Sequence, residues 1–473
     1  MKLIRVRKRT GYTAKFNLDK LTEGILDSAK STGGFRRDIE LFDNKEWNKI
    51  FKYYSTLNER EIAQSLALQT KTLLQMMPSK PNEVLHVEKI QDEVENVLYN
   101  SGFVDIWESY RLFRWGRTAV RDGRITDDQF RRSGMPDKLR DEILVWNLQH
   151  GCNTIQGLNE IVRDENKFKQ LIEEGTQEYE SQLDKVAQKF LKDPKKVIVF
   201  AGPSSSGKTT TTNITAEKMN IMGGSSGSNL TFKPWHVDHY YLGLNHLTPD
   251  EYNDYDYETP DALDTELIRE HLDMLLEGKT IQVPNYDFIK GKRVGVSSEL
   301  CLRENDVLVI DNLYALSTAV FRKDHINQFF KVYIETLNTI KSDNGRQVKL
   351  TDTRLMRRMS RDSLPKDQGG RGYDVGLTLG HWHYVRNGEL RYLIPLWPTA
   401  DHVVNGSLPF ELPLLKAKLD GRLPPLSEFY GQGRHDAFIR GSRLYSLMDE
   451  LETASDKYVS GDSLVREFIG RKK

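Results

Sequence analysis

The residues best suited to chemistry in this chain stand together in the run Gly202-Pro203-Ser204-Ser205-Ser206-Gly207-Lys208-Thr209-Thr210. Its spacing, G-x-x-x-x-G-K-T, follows the apolar stretch Val197-Ile198-Val199-Phe200 and precedes a segment up to Met222 carrying helix-forming Ala, Glu, Lys and Met. Strand, glycine loop and helix in that order make an anion cradle. Backbone N–H groups converge on a phosphate, and the helix dipole adds positive potential. Gly202, Ser204, Ser205, Ser206, Gly207, Lys208, Thr209 and Thr210 are therefore candidate nucleotide contacts. Lys208 would reach the outer phosphates, and the Thr209 hydroxyl would ligate Mg²⁺. A serine-rich turn before a helix is the plainer alternative, and the full pattern in this context argues against it.

Four downstream features bear on what becomes of a bound triphosphate. Asp238, in Trp235-His236-Val237-Asp238-His239-Tyr240-Tyr241, falls about one helix and one strand after the loop, where an acid can accept a substrate hydroxyl proton. Asp311 ends the apolar run Val307-Leu308-Val309-Ile310 and is placed to hold Mg²⁺ directly or through water. Either Asp also suits an ordinary capping or turn role. Arg354, Arg357, Arg358 and Arg361 recur at i, i+3, i+4 and i+7, one helix face, where mutual repulsion calls for an anion. A transferring phosphoryl group is such an anion; a solvated basic face is the alternative. The Gly-, Lys- and Asp-rich stretch Ser363–Gly376 that follows reads as a mobile lid. Finally, Tyr255–Asp261 and Pro284–Phe288 cluster aromatics with acids, which suits a ribose and base or a loop packed by tyrosines.

These groups must be positioned by several domains, for which 473 residues suffice. Residues 1–120 read as a first unit: a short hairpin turning at Thr10-Gly11, a helix from Asn17, a variable stretch from Gly33 to Tyr54, and helices near 58–76, 87–98 and 106–115. Residues 121–192 read as a helical connector ended by Asp193-Pro194. Residues 193–415 alternate strands at 197–200, 307–310 and 331–334 with helices, the pattern of an α/β domain with a parallel sheet. Residues 416–473 read as a helical segment, polar toward its end, and Gly223–Ser228 as a flexible loop.

Composition narrows the class. Hydrophobic residues make up 38% and charged residues 29%, as in a globular protein with a wet surface. Lys plus Arg and Asp plus Glu each number 68, so no net charge points to nucleic acid or membrane. Cys152 and Cys301 are too few for a disulfide framework, and a cytoplasmic location is the expectation. The basic start, Met1–Arg9, lacks the apolar run of a signal peptide, and no apolar stretch is long enough to span a membrane. His381-Trp382-His383, two histidines at i and i+2, read as a lid or core pair rather than a zinc site.

Over about residues 195–415 the motifs resemble the uridine kinase and phosphoribulokinase family, in the family's order: Gly202–Thr210, Asp238-His239-Tyr240-Tyr241, Pro260-Asp261-Ala262-Leu263-Asp264, Tyr286-Asp287-Phe288 and Asp352-Thr353-Arg354-Leu355-x-Arg357-Arg358-x-x-Arg361-Asp362. The resemblance is greatest to its long bacterial branch. It implies a P-loop kinase that moves the ATP γ-phosphoryl group to a small-molecule hydroxyl. By the resemblance Asp238 is the base, and Arg354, Arg357 and Arg361 belong to the lid and active site. Tyr241, Glu258, Asp261, Tyr286 and Arg358 belong with the acceptor. The chain departs from the family at Asp311-Asn312, where Glu-Gly is usual, at Glu258, where animal uridine kinases carry Asp, and in an enlarged lid. The family's base-contacting His has no obvious match. The first unit resembles an ATP-cone: Val6-x-Lys8-Arg9-x-Gly11 and Phe16-Asn17-x-x-Lys20-Leu21 match its opening, and Val87–Val94 and Tyr110-Arg111-x-x-Arg114 its last helices. The cone's usual acid after Lys-Arg is Thr10 here. Lys8, Arg9 and Lys20 would be its phosphate contacts, and a cone retained for packing or dimerisation is the alternative.

The expectation is an ATP- and Mg²⁺-dependent kinase of a uridine- or cytidine-like nucleoside, with a homo-oligomer through the cone as a further option. A kinase of a sugar phosphate or phosphoglycerate and a non-catalytic ATP sensor are the other readings. Cone-plus-kinase architecture also occurs in archaeal 2-phosphoglycerate kinases. A nucleic-acid ATPase lacks support, because the chain has no aromatic-basic module.

Overall fold

The computed structural model describes residues 5–36, 51–77, 84–131, 137–225, 229–287, 290–343 and 345–472. Most of the stretch Gly33–Tyr54, Ser226–Ser228 of the glycine-serine loop, and Phe288 lie outside the described residues. The chain divides into two compact units, Met1–Thr118 with Pro425–Ser442, and Ala119–Pro424 with Arg443–Lys473. The stretch 416–473, read from sequence as one segment, is thus shared between them.

In the first unit β1 (Arg5–Arg7), β2 (Thr13–Lys15) and β3 (Leu85–His86) form a small sheet in the order β2-β1-β3. Asn17 caps the helix Leu18–Thr32, its side chain accepting from the Lys20 N–H at 3.0 Å. Asn58 and Glu61 close a reciprocal capping box on the helix Glu59–Met76. The helices Val87–Asn100 and Val104–Arg121 complete the helical layer. Arg114 on the latter is buried and meets Glu88, Asp92 and Glu95 on the former, each at 2.8 Å.

The second unit is built on a parallel sheet of β4 (Val197–Ala201), β5 (Thr231–Trp235), β8 (Asp306–Asp311), β9 (Phe329–Glu335) and β10 (His402–Asn405), ordered β10-β9-β4-β8-β5. Between β5 and β8 the chain makes an antiparallel hairpin of β6 (Ile281–Asp287) and β7 (Lys292–Leu300). Residues of β4 are buried on both faces, the burial that an uninterrupted apolar run allows in a sheet covered on two sides. Val197, Val199, Leu308 and Ile310 share one core with Trp235, Tyr240 and Leu272. The expected connector is helical over Asp137–Gln149, Ile155–Arg163 and Glu165–Lys192. The last of these packs on the sheet through Phe190, whose ring stands 5.3 Å from that of Phe330.

Parallel strands end together, so the loops after β4, β5, β8, β9 and β10 converge at one edge, where open α/β sheets bind ligands. The sequence reading expected a strand before Asp238, where β5 lies, without giving its bounds, and missed β10 and the hairpin. Lys233 and Pro234 interrupt β5, and Pro284 and Asn285, read as loop residues, lie within β6 beside register shifts. Among the described residues no helix is long and apolar enough to cross a membrane.

Candidate phosphoryl-transfer site

The loop after β4 closes tightly. A Cβ added to Gly202 would lie 2.3 Å from the Ile334 carbonyl oxygen, so no side chain fits there. Ser205 and Gly207 adopt positive φ of 59° and 91°, turning successive amides toward one point. The hydroxyls of Ser205 and Ser206 are buried and have no hydrogen-bond partner among the described residues. A cradle with unpartnered hydroxyls fits the oxygen-rich tail of a nucleotide. The helix Lys208–Ser225 starts inside the motif despite its run of β-branched threonines. Thr211, Thr212 and Thr215 return their hydroxyls to carbonyls four residues earlier, at 2.7–2.8 Å. Lys208 folds back on the Pro203 carbonyl at 3.1 Å.

Thr209 Oγ1 donates to Asp311 Oδ2 at 2.6 Å, which brings the two expected Mg²⁺ ligands together. Desolvation pushes the Asp311 carboxyl up to about 6, against the pull of Lys208 and the Thr209 hydroxyl. A carboxylate held at such a cost without a cation, beside a hydroxyl, fits a site for Mg²⁺ completed by phosphate and water oxygens. Among the described residues no group of three or more His, Cys, Asp or Glu side chains forms a metal cluster. His381 instead pairs with Asp254 at 3.2 Å and stacks on Tyr257, and His383 meets the Gly380 carbonyl.

The Asp311 shift sets the sign of a test. Because the folded-state value lies above the ordinary carboxylate value, ionisation costs stability above pH about 6. That cost vanishes below pH about 4, where the group is protonated in both states. Asp311→Asn is expected to stabilise the metal-free protein at pH 7.5 by up to about 3 kcal/mol, with no gain at pH 3.5. Denaturant titrations at the two pH values measure it.

Asp238 lies in the short turn Val237–Tyr240 after β5. It is open to solvent yet crowded by protein, and desolvation raises its pKa. Lys208, Arg371 and Arg361 pull the other way, while Glu258 adds to the rise. The turn is pinned from the hairpin. Arg293 on β7 donates to the Tyr240 carbonyl at 2.9 Å and the Tyr241 carbonyl at 3.1 Å, and the Tyr286 N–H reaches His239 Nδ1 at 3.2 Å. Tyr241 and Tyr286 face each other with ring centroids 5.5 Å apart. Glu258 is fixed by Arg358 at 3.0 Å, and its carbonyl accepts from the Tyr314 hydroxyl at 2.6 Å. Asp261 is exposed at the turn Pro260–Ala262; its neighbours are Thr259 and Tyr392, not this cluster.

The helix Leu350–Ser363 carries the arginine stripe, and here the expectation of an awaited anion is corrected. Arg354 is buried and forms a two-point pair with Glu389, at 2.7 and 3.0 Å, with Glu335 at 3.3 Å. Arg357 is buried against Glu411 at 2.6 Å. Both donate to the phosphate loop itself, to the Ser204 and Ser205 carbonyls at 3.0 and 3.2 Å. Arg358 reaches the Ser204 hydroxyl at 2.6 Å. Their charges are neutralised by carboxylates on other elements, so no anion is needed to offset them, and both hold the loop by its carbonyls. Arg361 differs. It keeps 20% side-chain exposure, and Asp362 and Glu467 stand 3.2 and 3.6 Å away.

Three contributors escaped the sequence reading. Arg371, in the stretch expected as a lid, acts on Asp238; its side chain is 42% exposed, and its guanidinium stands 3.8 Å from Asp362. Three arginines around Asp362 hold its carboxyl down to about 2, although burial alone would raise it. Glu389 is fully buried on the helix Val375–Tyr392 and accepts the Ser204 N–H at 2.8 Å. The chain end, expected as polar, lays Leu464 against Gly207, gives Glu467 to the Thr210 hydroxyl at 2.8 Å and stacks Phe468 on Arg357 at 4.6 Å. A Gly-Arg-Gly in the lid was the available signal for Arg371; isolated glutamates on unplaced helices offered none.

In the first unit Arg9 pairs with Glu88, which also holds Arg114. Lys8 stands at the β1–β2 turn and Lys20 in the first turn of its helix; among the described residues neither joins an ion pair.

A parallel sheet with a phosphate loop after its central strand β4, an acid ending the adjacent strand β8 and another in the turn after β5 has the layout of a P-loop kinase. Residues 197–407 match the model of the phosphoribulokinase / uridine kinase family, and residues 4–119 match the ATP cone domain. A uridine kinase of Staphylococcus aureus strain JH9 is 33% identical over 208 residues, 44% of this chain and 86% of its own length. Those of strains Newman and Mu50 match equally. The chain belongs to the phosphoribulokinase / uridine kinase family. Among solved structures, a protein described as a possible uridine kinase from Bacillus stearothermophilus is 21% identical, over 38% of this chain and 92% of its own, with a TM-score of 0.27, an overlap too slight to inform the fold.

Proposed function

We propose that this kinase transfers the γ-phosphoryl group of ATP to a hydroxyl of a nucleoside, with uridine or cytidine the leading acceptor. The observation that carries the reading is Asp238. It is a carboxylate of raised pKa, open to solvent, under the fields of Lys208, Arg361 and Arg371. Beside it lie Glu258, oriented by Arg358, and the paired rings of Tyr241 and Tyr286. A base near a donor, next to an acid and aromatic faces, suits a sugar hydroxyl and a planar base. The similarity to uridine kinases adds to this.

In the reaction, loop amides and Lys208 hold the outer phosphates. Thr209 and Asp311 would hold Mg²⁺, which when bound offsets phosphate charge. Asp238 orients the acceptor hydroxyl and takes its proton. Arg361 and Arg371 meet charge developing on the transferred group. Positioning and charge stabilisation supply most of the rate gain.

ADP release measured against a panel of nucleosides, sugar phosphates and phosphoglycerates tests the acceptor. Turnover with uridine or cytidine is expected; turnover only with a phosphorylated acceptor, or none with any, overturns the reading. Arg371 separates chemistry from stability. Arg371→Met is expected to lower kcat at least about a hundredfold, with Tm unchanged within about 2 °C. Calorimetry and steady-state rates on one preparation measure both.

A further inference from the structure

Beyond residues 197–407, the stretch that matches the kinase family, one carboxylate reaches the phosphate loop. Glu467 sits on the short helix Arg466–Ile469. Its Oε2 accepts from the Thr210 hydroxyl at 2.8 Å, and its Oε1 stands 3.6 Å from the Arg361 guanidinium. Both partners belong to the phosphate site. Thr210 closes the loop motif, and Arg361 is the arginine of the stripe that keeps access to solvent. The Glu467 side chain is itself 19% exposed, so the three groups meet at the edge of the site rather than in the core.

The carboxylate is anchored on both sides. Arg466 is buried and donates to the Asp456 carboxylate at 2.7 Å and to the Val459 and Ser460 carbonyls at 2.8 and 3.1 Å. Ser360, on the arginine helix, donates to the Phe468 carbonyl at 2.8 Å. Leu464, Val465, Phe468 and Ile469 are buried. A segment held in this way does not swing aside when a ligand enters, so its charge stays beside the loop. That charge reaches the metal side as well: after desolvation, Asp238 and Glu467 add to the rise at Asp311.

We propose that Glu467 is a positioning residue that acts as an internal anion: it holds the Thr210 hydroxyl and Arg361 in place of a phosphate and thereby sets the affinity for ATP. On the reading above, on which this rests, Arg361 meets the transferred group, so carboxylate and phosphate compete for one guanidinium. With its proton directed to Glu467, the Thr210 hydroxyl offers no donor to a phosphate. A fixed negative charge also opposes a triphosphate directly. The total charge at the site is the same before and during transfer. The penalty therefore falls equally on ground state and transition state, and it appears in KM rather than in kcat.

Calorimetric titration of the full chain with a non-hydrolysable ATP analogue and Mg²⁺, without acceptor, tests this apart from the acceptor assignment. Glu467→Gln keeps the size of the side chain and an oxygen for Thr210, and removes the charge. It is expected to bind the analogue about tenfold more tightly than wild type. The KM for ATP should fall with it, while kcat stays within about threefold. Glu467→Asp keeps the charge, and its affinity is expected to stay within about threefold of wild type. Glu467→Ala, which also removes the charge, should tighten binding too and keeps the test open if the amide variant does not fold. A glutamate that only braced the loop would give the opposite sign, with weaker binding once it is replaced. Weaker or unchanged binding in the uncharged variants, a loss of kcat at unchanged KM, or equal tightening in Glu467→Asp overturns the proposal. Tighter analogue binding without turnover of any nucleoside would overturn the nucleoside acceptor and leave the role of Glu467 standing.

Discussion

Asp238→Asn is expected to lower kcat by about a thousandfold or more, while the affinity for ATP stays within about threefold of wild type. The amide keeps the size of the side chain and cannot take a proton. The phosphate-binding groups Lys208 and Thr209 belong to another loop, so donor binding survives. The raised pKa adds a pH signature. A base whose pKa is raised stays protonated and idle to a higher pH, so kcat/KM should fall with acidity through a value above the ordinary carboxylate range. That limb should be missing from the residual activity of the variant. Rates comparable to wild type in Asp238→Asn would remove Asp238 from the chemistry.

Glu389→Ala should be the most damaging change to stability, at about 3–5 kcal/mol. Glu389 is fully buried and satisfies Arg354, Arg386 and the Ser204 N–H at once. Burial alone would raise its pKa, but the two arginines hold it below the usual carboxylate range. Removing it takes the two-point partner from Arg354, which keeps Glu335 at 3.3 Å, one carboxylate contact from Arg386 and the acceptor of one loop amide. Breaking a buried ion pair on one side costs far more than the pair gains. Calorimetry of the variant should show the kinase unit melting early, with ATP affinity reduced because the loop is no longer braced. Glu389→Gln, which keeps hydrogen-bonding capacity and loses charge, should fall between. A wild-type melting curve for Glu389→Ala would show that the network does not brace the loop.

The contrast between these residues marks how much of the site the sequence could reveal. Gly202–Thr209, Asp238 and Asp311 were readable as candidates because each stands in a local pattern: a loop at a strand end, or an acid closing a strand. The arginine stripe was readable as a helix face but not as a function. Four guanidinium groups at i, i+3, i+4 and i+7 look alike in one dimension. Glu389, Glu411 and Glu335 come from other elements to neutralise Arg354 and Arg357, and Arg361 keeps solvent access. Arg371 was passed over because a glycine-rich loop has no periodicity to assign it a direction. The tail was misjudged for a similar reason: Leu464-Val465 and Phe468-Ile469 are two short apolar pairs in a polar stretch, and their burial depends on what lies opposite.

The sequence by itself determined that an α/β sheet carries a phosphate loop, that acids follow its strands, and that a cone-like unit precedes it. Those properties rest on strand burial, helix periodicity and loop geometry, which act over a few residues. Only the tertiary structure decided which arginines brace the loop, which keep access to solvent, and that the chain end and the connector press on the same loop. Those outcomes depend on charges and packing surfaces from tens to hundreds of residues apart in sequence, where a neutralising carboxylate or a flanking ring changes a side chain's role without changing its type.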